Sequence, residues 1–374
     1  MKLERVKRDF ISYMEEVHGG NPYPRNLFGC LMAIMIEREP VSQERIMELT
    51  GYSQATVSLT IQKIQLLLPI RTMKKKGDRK NYYVYDDAPS SFVLDLLQRR
   101  VDVQDIDSSL IESTLDKVRE RAEKNRQLAQ FETYLENMKL YLTLIHENRS
   151  ESVEPFEQAL VAGSPESLAL EDASVLKKGE LADFITTLSE ITSASEHEIP
   201  VESTPSNLLL LKNEYFTGIK TNLNPLFSQA IANRLVVVHS VLVDGRTTQD
   251  QIEQTTLLPR STISEVLAQT VERGIIKVSG SRPKYYNSAI SFSNLMLASF
   301  DRVANYIFSV STRLSEFVKV TKKVRPKSKE VREFLDFLKG LENAYSLALA
   351  FSLNMKVQTV RQLKEAYDRG FVFI

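Results

Sequence analysis

The chain of 374 residues has no tryptophan and one cysteine, Cys30. A lone thiol can form neither an internal disulfide nor a thiolate metal site, which fits a reducing compartment. Its place in the apolar stretch 27–36 marks it as a packing residue. Histidine is as scarce: His18, His146, His197 and His239 are scattered. None is spaced with acids or with the cysteine as a metal site or catalytic triad requires, and no glycine-rich phosphate loop is present. An enzyme is therefore not expected, and neither is a metal or cofactor. No run approaches the ~20 apolar residues of a membrane helix, and residues 1–10 alternate charges where a signal peptide would be apolar. The expectation is a cytoplasmic protein with no membrane partner.

The chain also lacks net charge, with 48 Lys+Arg against 48 Asp+Glu. That average hides a segregation. Residues 1–149 are +1, residues 150–206 are −10 and residues 207–374 are +9. The acidic middle is rich in serine and proline (Pro155, Pro165, Pro200, Pro205), with one helical pattern over 176–191. Such a composition predicts a linker, partly disordered or helical. Length alone calls for two or more cores on a ~150-residue prior.

What the chain does contain is a pattern that occurs twice. Ser53-Gln54-Ala55-Thr56-Val57-Ser58 returns 206 positions later as Pro259-Arg260-Ser261-Thr262-Ile263-Ser264. Each stretch opens a run with apolar residues at helical spacing: Val57, Ile61, Ile64 and Leu68, then Ile263, Leu267 and Val271. Both predict a short helix with one buried face and a small, polar first turn. A second pair follows, Gly77-Asp78-Arg79-Lys80-Asn81-Tyr82-Tyr83 and Gly280-Ser281-Arg282-Pro283-Lys284-Tyr285-Tyr286. Each predicts a β-hairpin turning at its glycine, with basic residues at the tip and one tyrosine of each pair buried.

The same offset aligns Phe10 with Phe216, Gln43 with Gln249, Ile46 with Ile252 and Ile70 with Ile276. After a three-residue difference at the hairpin it aligns Leu135-Glu136-Asn137 with Leu341-Glu342-Asn343. A shared register of this length argues for internal duplication. In the first copy, Val6–Val17 is amphipathic, Pro24 opens an apolar helix over 27–36, Ser42 caps Gln43–Thr50, and Gly51 leads to Ser53 as the next cap. Thr247 or Thr248 caps the matching helix of the second copy.

The predicted fold is mainly α with small β-wings: two winged helix-turn-helix domains with long packing helices that form an internal pseudo-dimer. The expected domains are 1–100 and 207–290, with packing helices over 101–149, a linker over 150–206, and packing helices with a tail over 291–374. Longer helices are predicted over 108–127, 131–145, 291–317 and 334–355, with a separate tail helix over 357–368. Phe131–Ile145 is apolar over more than half its circumference and needs a partner beyond its own domain. Its expected partner is Phe334–Met355, along a pseudo-two-fold axis.

In this architecture the first turn of the second helix enters the DNA major groove. The residues predicted to bind DNA there are Gln54, Ala55, Thr56 and Ser58, with Arg260, Ser261, Thr262 and Ser264. Gln54 has the reach and donor pattern for adenine and Arg260 for guanine, so the copies would read different half-sites. On the hairpins, Lys74, Lys75, Lys76, Arg79 and Lys80, and Arg282 and Lys284, are the expected contacts to phosphate or the minor groove.

These stretches, with Pro24-Arg25 at the opening of the second helix, resemble the GbsR-type branch of the MarR-like transcriptional regulators over about residues 5–100. The resemblance implies winged helix-turn-helix repressors or activators that dimerise through terminal helices, some of them responding to small osmolyte or choline-like ligands. The chain departs from the pattern at Pro69, where glycine is usual, and at Pro283. The partners implied are double-stranded DNA and a small-molecule effector, with the protein a monomeric pseudo-dimer or a homodimer. The competing reading is a protein-interaction scaffold of a transcription or chromosome-associated complex, which near-neutral charge favours.

Overall fold

The computed structural model describes residues 2–18, 25–37, 39–85, 91–93, 108–120, 125–162, 173–191, 205–223, 229–326 and 328–373. The chain is mainly helical, with two small antiparallel three-stranded sheets. It divides into two compact units. Unit 1 is Met1–Arg99, Pro155–Leu168 and Ala304–Ala350; unit 2 is Arg100–Glu154, Ala169–Val303 and Phe351–Ile374.

In unit 1 the order is α1 (Leu3–His18), α2 (Arg25–Met35), β1 (Val41–Ser42), α3 (Gln43–Thr50), α4 (Gln54–Leu67), β2 (Ile70–Met73) and β3 (Tyr82–Tyr85). Local chemistry sets these boundaries. Ser42 accepts a hydrogen bond from the Arg45 backbone N–H and so caps α3, while Gly51 ends that helix in the left-handed region at φ 75°. Ser53 caps α4 by accepting from Thr56 N–H. Val57, Ile61 and Ile64 are fully buried, as their spacing predicts. Leu68 lies just past the helix end and is half-buried. Pro24 falls outside the described residues.

The sheet order is β1-β3-β2, with Val41 opposite Tyr83 and Ile70 opposite Tyr85. A two-residue strand such as β1 has no period to detect, so the third strand is a finding of the structure alone.

Farther along the chain come a helical stretch over 108–119 (α5), α6 (Arg126–Ala162) and α7 (Glu180–Ile191). The predicted helix over 108–127 stops early, because Asn125 accepts from Leu128 N–H and starts α6 afresh. In turn α6 runs through Pro155 into the segment expected to be linker. Helix α7 matches the helical pattern read there; residues 163–172 and 192–204 lie outside the described residues.

Unit 2 repeats the element order: α8 (Ser206–Leu223), α9 (Gln229–Asp244), β4 (Arg246–Thr247), α10 (Gln249–Thr256), α11 (Arg260–Glu272), β5 (Ile276–Ser279) and β6 (Tyr285–Ser288). Thr248 caps α10 in a full capping box with Gln251. The sheet is β4-β6-β5, with Thr247 opposite Tyr286 and Ile276 opposite Ser288. The loop between the hairpin strands is three residues shorter here, which accounts for the local loss of register seen in the sequence.

Two long helices complete the chain: α12 (Phe292–Lys322) and α13 (Lys329–Asp368). The second corrects an expectation. The helix predicted over 334–355 and the separate tail helix are one continuous helix of 40 residues. Nothing in 352–360 breaks it, since that stretch has neither glycine nor proline and buries Met355, Val357 and Val360.

The units do not follow chain order. In unit 1 the rings of Phe317, Phe334 and Phe337 surround Phe10 of α1 at 5.5, 6.0 and 5.9 Å. In unit 2, Phe131 and Tyr134 of α6 meet Tyr215 of α8 at 5.7 and 6.2 Å, and α5 packs so closely on α8 that a Cβ on Gly218 would lie 2.7 Å from Leu110 Cδ2. Within each unit, then, long helices from one half of the chain pack on a helix from the other half, α12 and α13 on α1 and α5 and α6 on α8. Each unit also buries a lysine of its first helix against an acid at the end of its second: Lys7 Nζ to Glu37 at 2.9 Å, and Lys212 to Asp244.

Candidate nucleic-acid interface

The start of α4 is open. Gln54 and Ala55 are exposed, and Thr56 and Ser58 are half-buried. The Thr56 hydroxyl shares a 2.9 Å hydrogen bond with Ser53 Oγ, so part of this turn's polar capacity is spent on capping. The start of α11 differs. Pro259 occupies its N-cap and supplies no side-chain acceptor, which leaves the N–H groups of its first turn without a side-chain cap. Arg260, Ser261 and Ser264 are exposed and Thr262 is half-buried.

On the hairpin of unit 1, Lys74, Lys75, Lys76, Arg79 and Lys80 are exposed; on that of unit 2, Arg282 and Lys284 are. Glycines turn both hairpins, Gly77 at φ 85° and Gly280 at φ 75°. One tyrosine of each pair is buried, Tyr83 and Tyr286. The other carries a cation on its face: Lys75 Nζ lies 4.3 Å from the Tyr82 ring centre and the Arg246 guanidinium 4.1 Å from that of Tyr285.

Two predicted cations are tied to acids. Lys80 Nζ lies 3.0 Å from Glu44 Oε1. The Glu44 carboxyl is held below its ordinary pKa first by its own backbone N–H and then by Lys80, and Lys80 is raised in return. The turn is fixed further by Asp78, which accepts from Lys80 N–H and from Tyr82 Oη and is depressed by both. In unit 2, Arg260 Nη1 pairs with Asp250 and lies 3.7 Å from Glu253. The side chains of Lys74, Lys76, Arg79, Arg282 and Lys284 have no ion-pair partner among the described residues.

Sequence reasoning missed the acids. Glu44 and Asp250 are 206 positions apart, so the offset that aligns Gln43 with Gln249 also aligns an acid with an acid. That coincidence was the available signal.

Two of the histidines, His18 and His239, lie in hydrophobic cores, while His146 is exposed and His197 falls outside the described residues. His18 stacks on Phe28 at 4.7 Å, and its Nδ1 and Nε2 meet Tyr306 Oη at 2.6 Å and Tyr345 Oη at 2.9 Å. His239 bonds Tyr134 Oη and lies edge-on to Phe292. Burial lowers their pKa values to about 3 and about 4. Cys30 is fully buried, and burial pushes its thiol up to about 12. Among the described residues no cluster of three His, Cys, Asp or Glu could hold a metal ion, and no helix is long and apolar enough to cross a membrane.

No protein-family model matches this chain, and no curated protein is significantly similar to it.

Proposed function

We propose that the protein is a sequence-specific double-stranded DNA-binding transcriptional regulator. In this reading each unit contains a winged helix-turn-helix domain, the two domains arose by duplication, and the chain is a single-chain pseudo-dimer of the GbsR-type, MarR-like kind. The observation that carries the reading is the pairing, twice in the same order, of an exposed polar helix start with an exposed basic hairpin. Helices α4 and α11 would read bases in the major groove, while the hairpins would meet phosphate and supply salt-dependent affinity. Because Gln54 and Arg260 differ, an asymmetric operator is expected. A small-molecule effector would act through the helices that join the halves.

A protein-interaction scaffold is the second reading, and one observation favours it. Leu59 and Leu66 lie seven residues apart on α4 and are 61% and 85% exposed. Two leucines on one helical face invite a protein partner.

Binding to duplex fragments, including the region upstream of the protein's own gene, at two salt concentrations separates the two. DNA binding predicts that log Kd changes steeply with log salt, and that Arg79→Ala with Arg282→Ala flattens the slope by about two phosphate contacts. A flat dependence, unaltered in the double variant, leaves the scaffold reading.

A further inference from the structure

The first turns of α3 and α10 carry matching residues that grip different things. In unit 1, Gln43 Nε2 donates to Tyr83 Oη at 3.0 Å and Glu44 pairs with Lys80, so both hold the hairpin. In unit 2, Gln249 Nε2 donates to Arg260 O at 3.0 Å and Ser264 Oγ at 2.8 Å, and Asp250 pairs with Arg260, so both hold the start of α11. The exchange follows from the side chains on offer. Unit 1 has Lys80 on its hairpin and an uncharged Gln54 on its helix, whereas unit 2 has Pro283 on its hairpin and Arg260 on its helix.

The geometry at Arg260 is selective. Asp250 and Glu253 both lie against Nη1. The Nε and Nη2 edge has no partner among the described residues. That edge presents two parallel N–H groups, the arrangement that pairs with O6 and N7 of guanine. An exposed arginine otherwise spreads over many rotamers, and fixing one nitrogen lowers the entropy lost when the other edge binds.

Resting on the DNA-binding reading, we infer that Asp250 is a specificity-determining positioning residue, which aims the free edge of Arg260 at a guanine. Base discrimination is then concentrated in the half-site read by unit 2, and unit 1 contributes chiefly a fixed hairpin on the backbone.

The test compares the full chain with Asp250→Asn, Arg260→Lys and Glu44→Gln, using operator duplexes with each base pair varied in turn. Asp250 is an exposed side chain, so its replacement leaves the fold intact. Wild type should prefer one G·C pair by about tenfold or more. Asp250→Asn and Arg260→Lys should both lose at least fivefold of that preference at the same pair, although Asp250→Asn also removes a negative charge and binds random duplex more tightly. Glu44→Gln should tighten binding to every sequence alike. Undiminished preference in Asp250→Asn, or an equal loss in Glu44→Gln, overturns the assignment and leaves DNA binding standing. A wild-type chain with no salt-dependent duplex binding removes the DNA reading and this assignment together.

Discussion

Leu257 ends α10 in the left-handed conformation that Gly51 adopts at the end of α3: φ is 54° for the leucine and 75° for the glycine. The positions are 206 apart, and the matching turns of the two units are made by residues of opposite conformational preference. A side chain at such a φ costs roughly 1–2 kcal/mol, partly offset by the freedom glycine loses on folding. Leu257 is 63% exposed and gives little burial in return. Leu257→Gly should therefore stabilise unit 2 by about 0.5 kcal/mol. Gly51→Ala, where nothing lies within 4 Å of the added Cβ, should cost about 1 kcal/mol. Denaturant midpoints that move together in one direction would refute this.

Unit 1 should be acid-sensitive through His18. The folded environment offers its ring two tyrosine hydroxyls and a phenylalanine face but, among the described residues, no carboxylate partner, and burial lowers its pKa to about 3 from an ordinary 6.5. A depressed folded value means that the neutral ring is the bound form. Its contribution is complete above pH 6.5 and is lost as pH falls from there toward 3. Thermal unfolding followed between pH 7 and 4 should show a falling midpoint in wild type and a smaller fall in His18→Gln. His239 in unit 2, at about 4, should add a second, similar loss.

Much of the local architecture was legible because side chains write it directly. Ser42, Ser53 and Gly51 mark helix ends by their hydrogen bonding and φ preferences, and the buried faces of α4 and α11 follow a 3.6-residue period. The tyrosine pairs were legible for the same reason, as alternating residues of a strand. What could not be read was choice of partner. The spacing of Phe131, Tyr134 and Tyr141 says that a face is buried, but Tyr215 and Phe292 cover it from far along the chain, and periodicity holds no record of that. The candidate site shows the same division. Its exposed cations were evident from the motifs, whereas the pairing of Arg260 with Asp250 depends on how two helices meet.

The buried pair Lys212–Asp244 should be costly to break and cheap to replace. Their side chains are 2% and 13% exposed, and the Lys212 ammonium also lies 5.9 Å from the Phe131 ring centre. Lys212→Met alone strands a carboxylate in the interior and should cost about 3–5 kcal/mol. Adding Asp244→Leu removes the stranded charge and should recover most of it. A double-mutant cycle by denaturant unfolding measures the coupling, and additive losses would show that the pair is not an energetic unit.

The crosswise packing makes the two halves of the chain mutually dependent. A fragment of residues 1–149 keeps Phe10 but lacks Phe317, Phe334 and Phe337, and keeps Phe131 and Tyr134 but lacks Tyr215 and Phe292. Each missing large ring is worth about 3–5 kcal/mol by the cost of Phe→Ala truncation in a core. Losing three from around one residue is comparable to the whole margin by which a small domain is stable. The fragment should be helical yet melt without cooperativity and bind a hydrophobic dye, and so should residues 207–374. Mixed at equal concentration, the two should recover a single cooperative transition, because the faces each exposes are the ones the other covers. If residues 1–149 alone unfold cooperatively, α1 and α6 have found partners within their own half, and the crosswise arrangement is not what holds the units together.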